Sequence, residues 1–311
     1  MSVYHFLAFN NSFLLESEEG ESLRCIGKFT IVLTMNNALS IDVEEYFQIH
    51  VLSGIIRQDQ WNLMPSFVED NTLRILDLLD KHGIKATFFC LGWIAERHGD
   101  LIRRMHEKGH EIACHGFAHQ VIYGQDPARF KEDVTRAKQV LEDATGVPVI
   151  GYRAPTYSIT DKTLWAIKIL EDAGFLYDSS IFPIYHDNYG IPDAPRFPHR
   201  LQGSTLVEFP ISTLKIGPVN IPVSGGGYFR LLPYTLTRLG LKEVMSGGRP
   251  FVFYIHPWEL NPDTPRVPGM PVLSRFRTYI GIRSARARFE RLISDFRFAP
   301  IRDVLAELGL L

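Results

Sequence analysis

From Ala38 onward, short apolar runs alternate with stretches of helical period, and that alternation constrains the fold more than any other feature of the chain. Strands that alternate with helices return to one sheet in parallel, with helices covering its outer face. Strands are expected at 38–44, 86–91, 111–114 and 151–154, and in a run that reaches Tyr177. Between them, Ser66 is expected to cap a helix whose apolar positions Phe67, Leu73, Leu76 and Leu79 recur at helical spacing before Gly83. A second helix is expected over 94–108, stopped by Gly109. Pro127 opens a long one through Asp143, with Gly146 beyond it as the stop, and Thr160 caps a fourth that ends at Gly174. Residues 181–200 break the rhythm with four prolines and four aromatic residues, so a long structured loop is expected there. Further strands are expected at 205–211 and 251–255, separated by Gly225-Gly226-Gly227 and a helix over 233–245. Two closing helices follow at 284–296 and 301–308. The fold class is therefore α/β, a single irregular (β/α) barrel of about seven strands, and no internal repeat points to a solenoid or propeller.

Composition removes several functions. The 311 residues carry 33 Lys and Arg against 35 Asp and Glu, a net charge of −2, with no long basic run. Nucleic acid is not an expected partner, because gripping a phosphate backbone needs clustered cations. No segment approaches the ~20 apolar residues of a membrane span. Three widely spaced cysteines, Cys25, Cys90 and Cys114, exclude a disulfide scaffold and a cysteine-based zinc site, although zinc could be held by other ligands. Residues 1–35 lack the period of the rest and are set apart as an appendage: a floppy arm, an extra strand, or a segment ahead of a native start at Met35. Acidic residues there precede the apolar run, the reverse of a secretory signal, so the expected location is cytoplasmic.

In a parallel barrel the reacting groups sit where strands end and loops begin. Asp42 and Glu44, two apart at the end of the first strand, share one face and repel each other unless a cation lies between them. His115 and His119 follow the third strand. If the chain turns helically there, their imidazoles project together and can share an ion, although such a pair alone is common among surface and capping histidines. Arg153, at the next strand end, is expected to pair with an inward carboxylate. His256 ends the strand Phe253-Tyr254-Ile255, placed for proton transfer.

The ordered set Asp42-Val43-Glu44, His115-Gly116-Phe117-Ala118-His119, Arg153-Ala154-Pro155 and Ile255-His256-Pro257 resembles the polysaccharide deacetylase family (NodB homology, carbohydrate esterase family four). Asp178 to Pro183, Gly225 to Arg230 and the arginine-rich tail resemble its branch from exosortase exopolysaccharide loci. The resemblance implies that residues 36–311 are the deacetylase barrel, with a family-specific insertion and C-terminal helices from about 181. It implies an N-acetylated glycan substrate and a divalent metal, Zn2+ first, on Glu44, His115 and His119. Asp42 takes the position of general base, Arg153 of its orienting partner and His256 of general acid. Asp178 falls near the acid that tunes this histidine, and Thr156 stands where a backbone N–H binds the oxyanion. Val43 separates the two acids and the second is Glu, whereas the family pattern has adjacent aspartates. Tyr228, Phe229 and Trp258 are expected against the sugar, with Phe182, Tyr185 and Tyr189 as further stacking surfaces. The competing expectations are a metal-independent amidohydrolase of the allantoinase-like type and a non-catalytic glycan-binding protein of an exopolysaccharide assembly system. The oligomeric state is left open.

Overall fold

The computed structural model describes residues 35–311 and the backbone of three antiparallel strands ahead of them, Tyr4–Phe9, Ser12–Ser17 and Ser22–Arg24. The chain divides into two units, residues 1–34 and Met35–Leu311. Apart from those strands, the expectations for the N-terminal segment, Cys25 included, lie outside the described residues.

In the larger unit seven strands run parallel: β1 (Asn37–Val43), β2 (Thr87–Cys90), β3 (Glu111–Cys114), β4 (Gly151–Tyr152), β5 (Tyr177–Asp178), β6 (Val207–Glu208) and β7 (Val252–Ile255). Their spatial order is β7-β1-β2-β3-β4-β5-β6, with His199–Arg200 as an antiparallel edge beside β6 and Phe298–Ala299 lying parallel to β1. The expected strand number is found, but the sheet is a curled half-barrel. No ladder joins β6 to β7 among the described residues. That gap is spanned by a loop and hairpin instead. Val252 N donates to Ser212 Oγ at 2.9 Å and Tyr254 N to Ser224 O at 3.0 Å.

The period of two along β1 explains how one strand serves both core and site. Leu39, Ile41 and Val43 are fully buried and pack with the covering helices. Ala38, Ser40 and Asp42 alternate with them and face the concave side. Each fully buried Leu or Ile on the helix-facing side contributes about 1.5–3 kcal/mol, so β1 is anchored by its odd positions and free to carry polar groups on its even ones. At the opposite end of the strands, Ile301, Val304 and Leu305 of the last helix plug the barrel floor, and Ile301 N donates to Thr87 Oγ1 at 2.7 Å.

Several local expectations are corrected. The helix begun near Ser66 runs Val68–Lys81 and has no cap from Ser66. Its free N–H groups are met by Glu45 Oε1, which accepts from Phe67 N at 2.8 Å, from Val68 N at 3.0 Å and from the Ser66 hydroxyl. A carboxylate at that end also suits the helix dipole. The helix expected over 94–108 is two, Gly92–Arg97 and Gly99–Glu107. His98 leaves helical backbone between them and meets Glu69 at 3.1 Å. Pro127–Thr145 forms as expected, with Gly146 left-handed beyond it at φ 73°. Elements without a sequence expectation include the hairpin strands Thr213–Ile216 and Val219–Pro222, the helix Gly226–Leu231 that begins in the glycine run, and the helix Val272–Tyr279.

Candidate active site

All seven parallel strands end at one rim, and the rim lines a cavity of about 540 Å3 into which Asp42, Glu44, His115, His119, Thr156 and His256 project. The pleat of β1 delivers Asp42 and Glu44 to the same side, 2% and 1% exposed. Arg153, entirely buried at the end of β4, receives Asp42. Its Nη1 donates to Asp42 Oδ1 at 2.7 Å and to Ser40 Oγ at 2.7 Å, while its other nitrogens reach Ser179 Oγ and Ser179 O. Burial opposes the charge on Arg153, yet Asp42 outweighs it and keeps the guanidinium firmly protonated. The expected buried pairing of Arg153 with an inward carboxylate is thus present, and it leaves Asp42 Oδ2 facing the cavity, 3.8 Å from His256 Nε2.

His115 and His119 converge, but not by a helical turn. After β3 the chain passes through left-handed backbone at Gly116 (φ 74°) and His119 (φ 51°), and this brings the two ring centroids to 5.3 Å. His115 Nδ1 lies 2.8 Å from Arg153 O, so that nitrogen carries the proton and Nε2 offers a lone pair to the cavity. Burial, with His119 nearby, pulls the His115 pKa down to about 3, which keeps the ring neutral. His119 Nε2 stands 2.8 Å from Glu44 Oε2. Burial works against ionisation of Glu44, but His119 and His256 overcome it and hold its pKa below the ordinary value. One potential ligand atom from each of Glu44, His115 and His119 lies within 4.8 Å of the others. His119 Nδ1 is buried without a hydrogen-bond partner, and the buried Glu44 Oε2 has His119 Nε2 as its one polar neighbour. The neutral His115 ring, the His119 imidazole and an ionised carboxylate, with a buried unpartnered ring nitrogen among them, are a donor set that fits a divalent cation with open coordination positions.

His256 is held from behind by a residue the sequence reading passed over. Its Nδ1 lies 2.8 Å from Glu259 Oε2, and Glu259 Oε1 accepts from Arg230 Nε at 2.6 Å. Burial would lower the His256 pKa, but Glu44, Glu259 and Asp42 raise it to about 9. Asp178 does not play this part: it accepts from the Ser180 hydroxyl and lies beside Glu208 on the next strand. The signal was in the chain, since Glu259 follows His256 by three residues across a proline-started turn.

Thr156 lines the cavity as expected, and it and Tyr157 are left-handed at φ 57° and 53°. Such backbone is costly for a β-branched residue and is typical of positions fixed for a functional purpose. Among the aromatic candidates, Tyr189 and Tyr228 line the cavity. Phe229 does not: it is fully buried and packs edge-on against Phe253 at 5.0 Å. Phe182 is also core, and Tyr185 is 85% exposed and outside the cavity lining. Trp258 lines the cavity, but its Nε1 donates to Glu44 Oε1 at 3.2 Å, so it positions the carboxylate.

Residues 59–176 match the family model for polysaccharide deacetylase, and residues 179–306 match that of a domain of unknown function, DUF3473. Residues 59–176 therefore belong to a polysaccharide deacetylase domain. It is 34% identical over 125 residues to a peptidoglycan deacetylase-like protein of Gibberella zeae, covering 38% of this chain and 36% of that protein. It is 30% identical over 98 residues to a peptidoglycan-N-acetylglucosamine deacetylase of Bacillus cereus, covering 31% and 36%. The chain thus spans about a third of the length of these curated relatives. A polysaccharide deacetylase-family structure from Mycobacterium smegmatis shares the fold, with a TM-score of 0.59 at 21% identity over 89% of this chain and 90% of that one.

Proposed function

We propose that this chain hydrolyses the acetamide of an N-acetylated glycan with the help of a divalent metal. The observation that carries the reading is the meeting, in one cavity, of three ligand-bearing side chains with a clamped carboxylate on one side and a carboxylate-backed histidine on the other. A divalent cation, Zn2+ first among candidates, would be held by Glu44, His115 and His119 and would supply Lewis-acid polarisation of the carbonyl and a more acidic water.

The chain's own groups account for the proton movements. Asp42, fixed through Oδ1 by Arg153, takes a proton from the attacking water at Oδ2 as the new C–O bond forms. The backbone at Thr156, held left-handed at the cavity wall, presents its N–H to the developing oxyanion. His256, steadied at Nδ1 by Glu259, gives its Nε2 proton to the nitrogen as the C–N bond breaks. Acetate and an amine leave, and the proton on Asp42 restores His256. Tyr189 and Tyr228 supply aromatic faces for a sugar ring. Placing the glycan in exopolysaccharide synthesis extends this reading on sequence resemblance alone, and placing the protein in the cytoplasm extends it on the order of acidic and apolar residues before Met35. The intact set of Glu44, His115 and His119 disfavours a metal-independent amidohydrolase, and the complete proton-transfer pair disfavours a non-catalytic binder.

The test is acetate release from N-acetylated oligosaccharides by purified protein, alongside its metal content by elemental analysis. Release should stop on chelation and return with added zinc. Undiminished release from metal-free protein would sink the metal assignment, and no release from any acetylated glycan by metal-loaded protein would sink the activity.

A further inference from the structure

The helix Val272–Tyr279 breaks the usual rule for surface helices. Val272 is 76% exposed, Leu273 58% and Phe276 51%, while the polar Thr278 is buried. At about 100° per residue, Val272, Phe276 and Leu273 form one apolar stripe, with Arg277 on one border and Arg275 on the other. From 264 to 289 the chain carries six arginines and no acidic residue. Arg288 is committed inward, donating to the carbonyls of Phe229, Arg230 and Leu232, and Arg286 lies 3.7 Å from Glu290. Arg275, Arg277 and Arg283 have no carboxylate partner among the described residues.

We infer that this helix and its flanks dock on an anionic phospholipid bilayer. An apolar stripe bordered by guanidiniums is what lets a helix lie in the interface, with its apolar side chains entering the acyl boundary and its arginine stems reaching the phosphates. A second cavity of about 350 Å3 reinforces the match. Arg266, Arg275, Val272, Phe276, Tyr279 and Ile280 line it, a pair of cations beside an apolar floor. The surface is continuous with the candidate active site, because Phe276 and Arg277 also line the larger cavity, as do the exposed Leu231 and Val51. Docking would place that cavity at the bilayer, where a lipid-linked glycan presents its sugar.

Two other occupants fit less well. A soluble polyanion would use the arginines but gives no reason for the exposed Val272 and Leu273. A second copy, meeting this patch with the same patch, would oppose arginine to arginine.

The test is co-sedimentation of the full chain with phosphatidylcholine vesicles, with and without phosphatidylglycerol. Binding is expected only with phosphatidylglycerol, weakening as salt rises. Val272→Glu with Leu273→Glu should cut it at least about tenfold, and Arg275→Gln with Arg283→Gln by a similar factor. Neither pair lines the larger cavity, so acetate release from soluble oligosaccharide should not change. The inference does not depend on the acetamide chemistry, since the readout is partition. It falls if the protein ignores both vesicle types, binds them equally, or binds undiminished after the Glu substitutions. It also falls if soluble polygalacturonate binds while vesicles do not, or if the patch instead mediates self-association that the Glu substitutions abolish.

Discussion

A guanidinium taken wholly out of water costs several kcal/mol unless its donors are met, and leaving a buried partner unpaired costs about 3–5 kcal/mol. Arg153 meets that condition with Asp42, Ser40 and Ser179, and in doing so fixes which oxygen of Asp42 faces the cavity. Its carbonyl also orients His115, so a single residue sets the direction of both the proposed base and a proposed ligand. Asp42→Asn preserves the shape of this clamp while removing the basic oxygen. The variant should fold and keep its metal, as measured by elemental analysis, but lose about 100-fold or more in acetate release. Retained turnover would reject Asp42 as the base, and lost metal would show that it acts as a ligand.

Between elements, the register of β5 and β6 sets Asp178 directly opposite Glu208 in a fully buried ladder. Burial raises both carboxyls, Asp178 to about 6 and Glu208 further because Asp178 faces it, against the lowering effects of Ser180, backbone N–H groups and Arg153. An acid whose pKa is higher folded than unfolded gives its full stability below the unfolded value, near 4, and loses it as pH rises through the folded one. The pair therefore costs stability from about pH 4 upward, on the order of 3 kcal/mol once Asp178 ionises. Asp178→Asn with Glu208→Gln keeps the oxygens that accept from Ser180 and Ile181. Its Tm relative to the parent should climb between about pH 4 and 7; a flat difference across that range would contradict the account. Asp178 also marks where sequence reading reached its limit. Period-two alternation made β1, β3 and β7 legible, and with them Asp42, Glu44, His115 and His256, because strand ends follow from local pattern. What Asp178 faces follows from β6, thirty residues on, and local pattern carries no such information. The convergence of His115 and His119 was legible, though its cause in left-handed backbone was not. Glu259 lies within local reach, three residues past His256, but local pattern alone does not separate a carboxylate that backs a histidine from a solvated one.

Considered whole, the two family matches meet at residues 176 and 179, yet the larger unit is not divisible there. β7 pairs with β1 along Val252–Ile255, Phe298–Ala299 pairs with β1 at its start, and the last helix closes the barrel floor. The groups of the proposed mechanism are split in the same way: Asp42, Glu44, His115, His119 and Arg153 precede the junction, while His256 and Glu259 follow it. Arg230 ties the later half together, with Nε on Glu259 and Nη1 on the carbonyls of Thr278 and Ile280. Arg230→Ala strands Glu259 as a buried carboxylate, which Arg230 and His256 otherwise hold at about 2 against burial. The cost should be about 3–5 kcal/mol, a fall in Tm of roughly 5–15 °C, with acetate release reduced as His256 loses its support. If the halves form one cooperative unit, that loss is felt throughout. Tryptophan fluorescence, dominated by Trp61, Trp93 and Trp165 before the junction, should then shift by the same amount as far-UV circular dichroism, which reports on both halves. A fluorescence transition that stays in place while the circular dichroism transition splits would mean that the part after residue 179 unfolds by itself, and that the site is assembled from two separable domains.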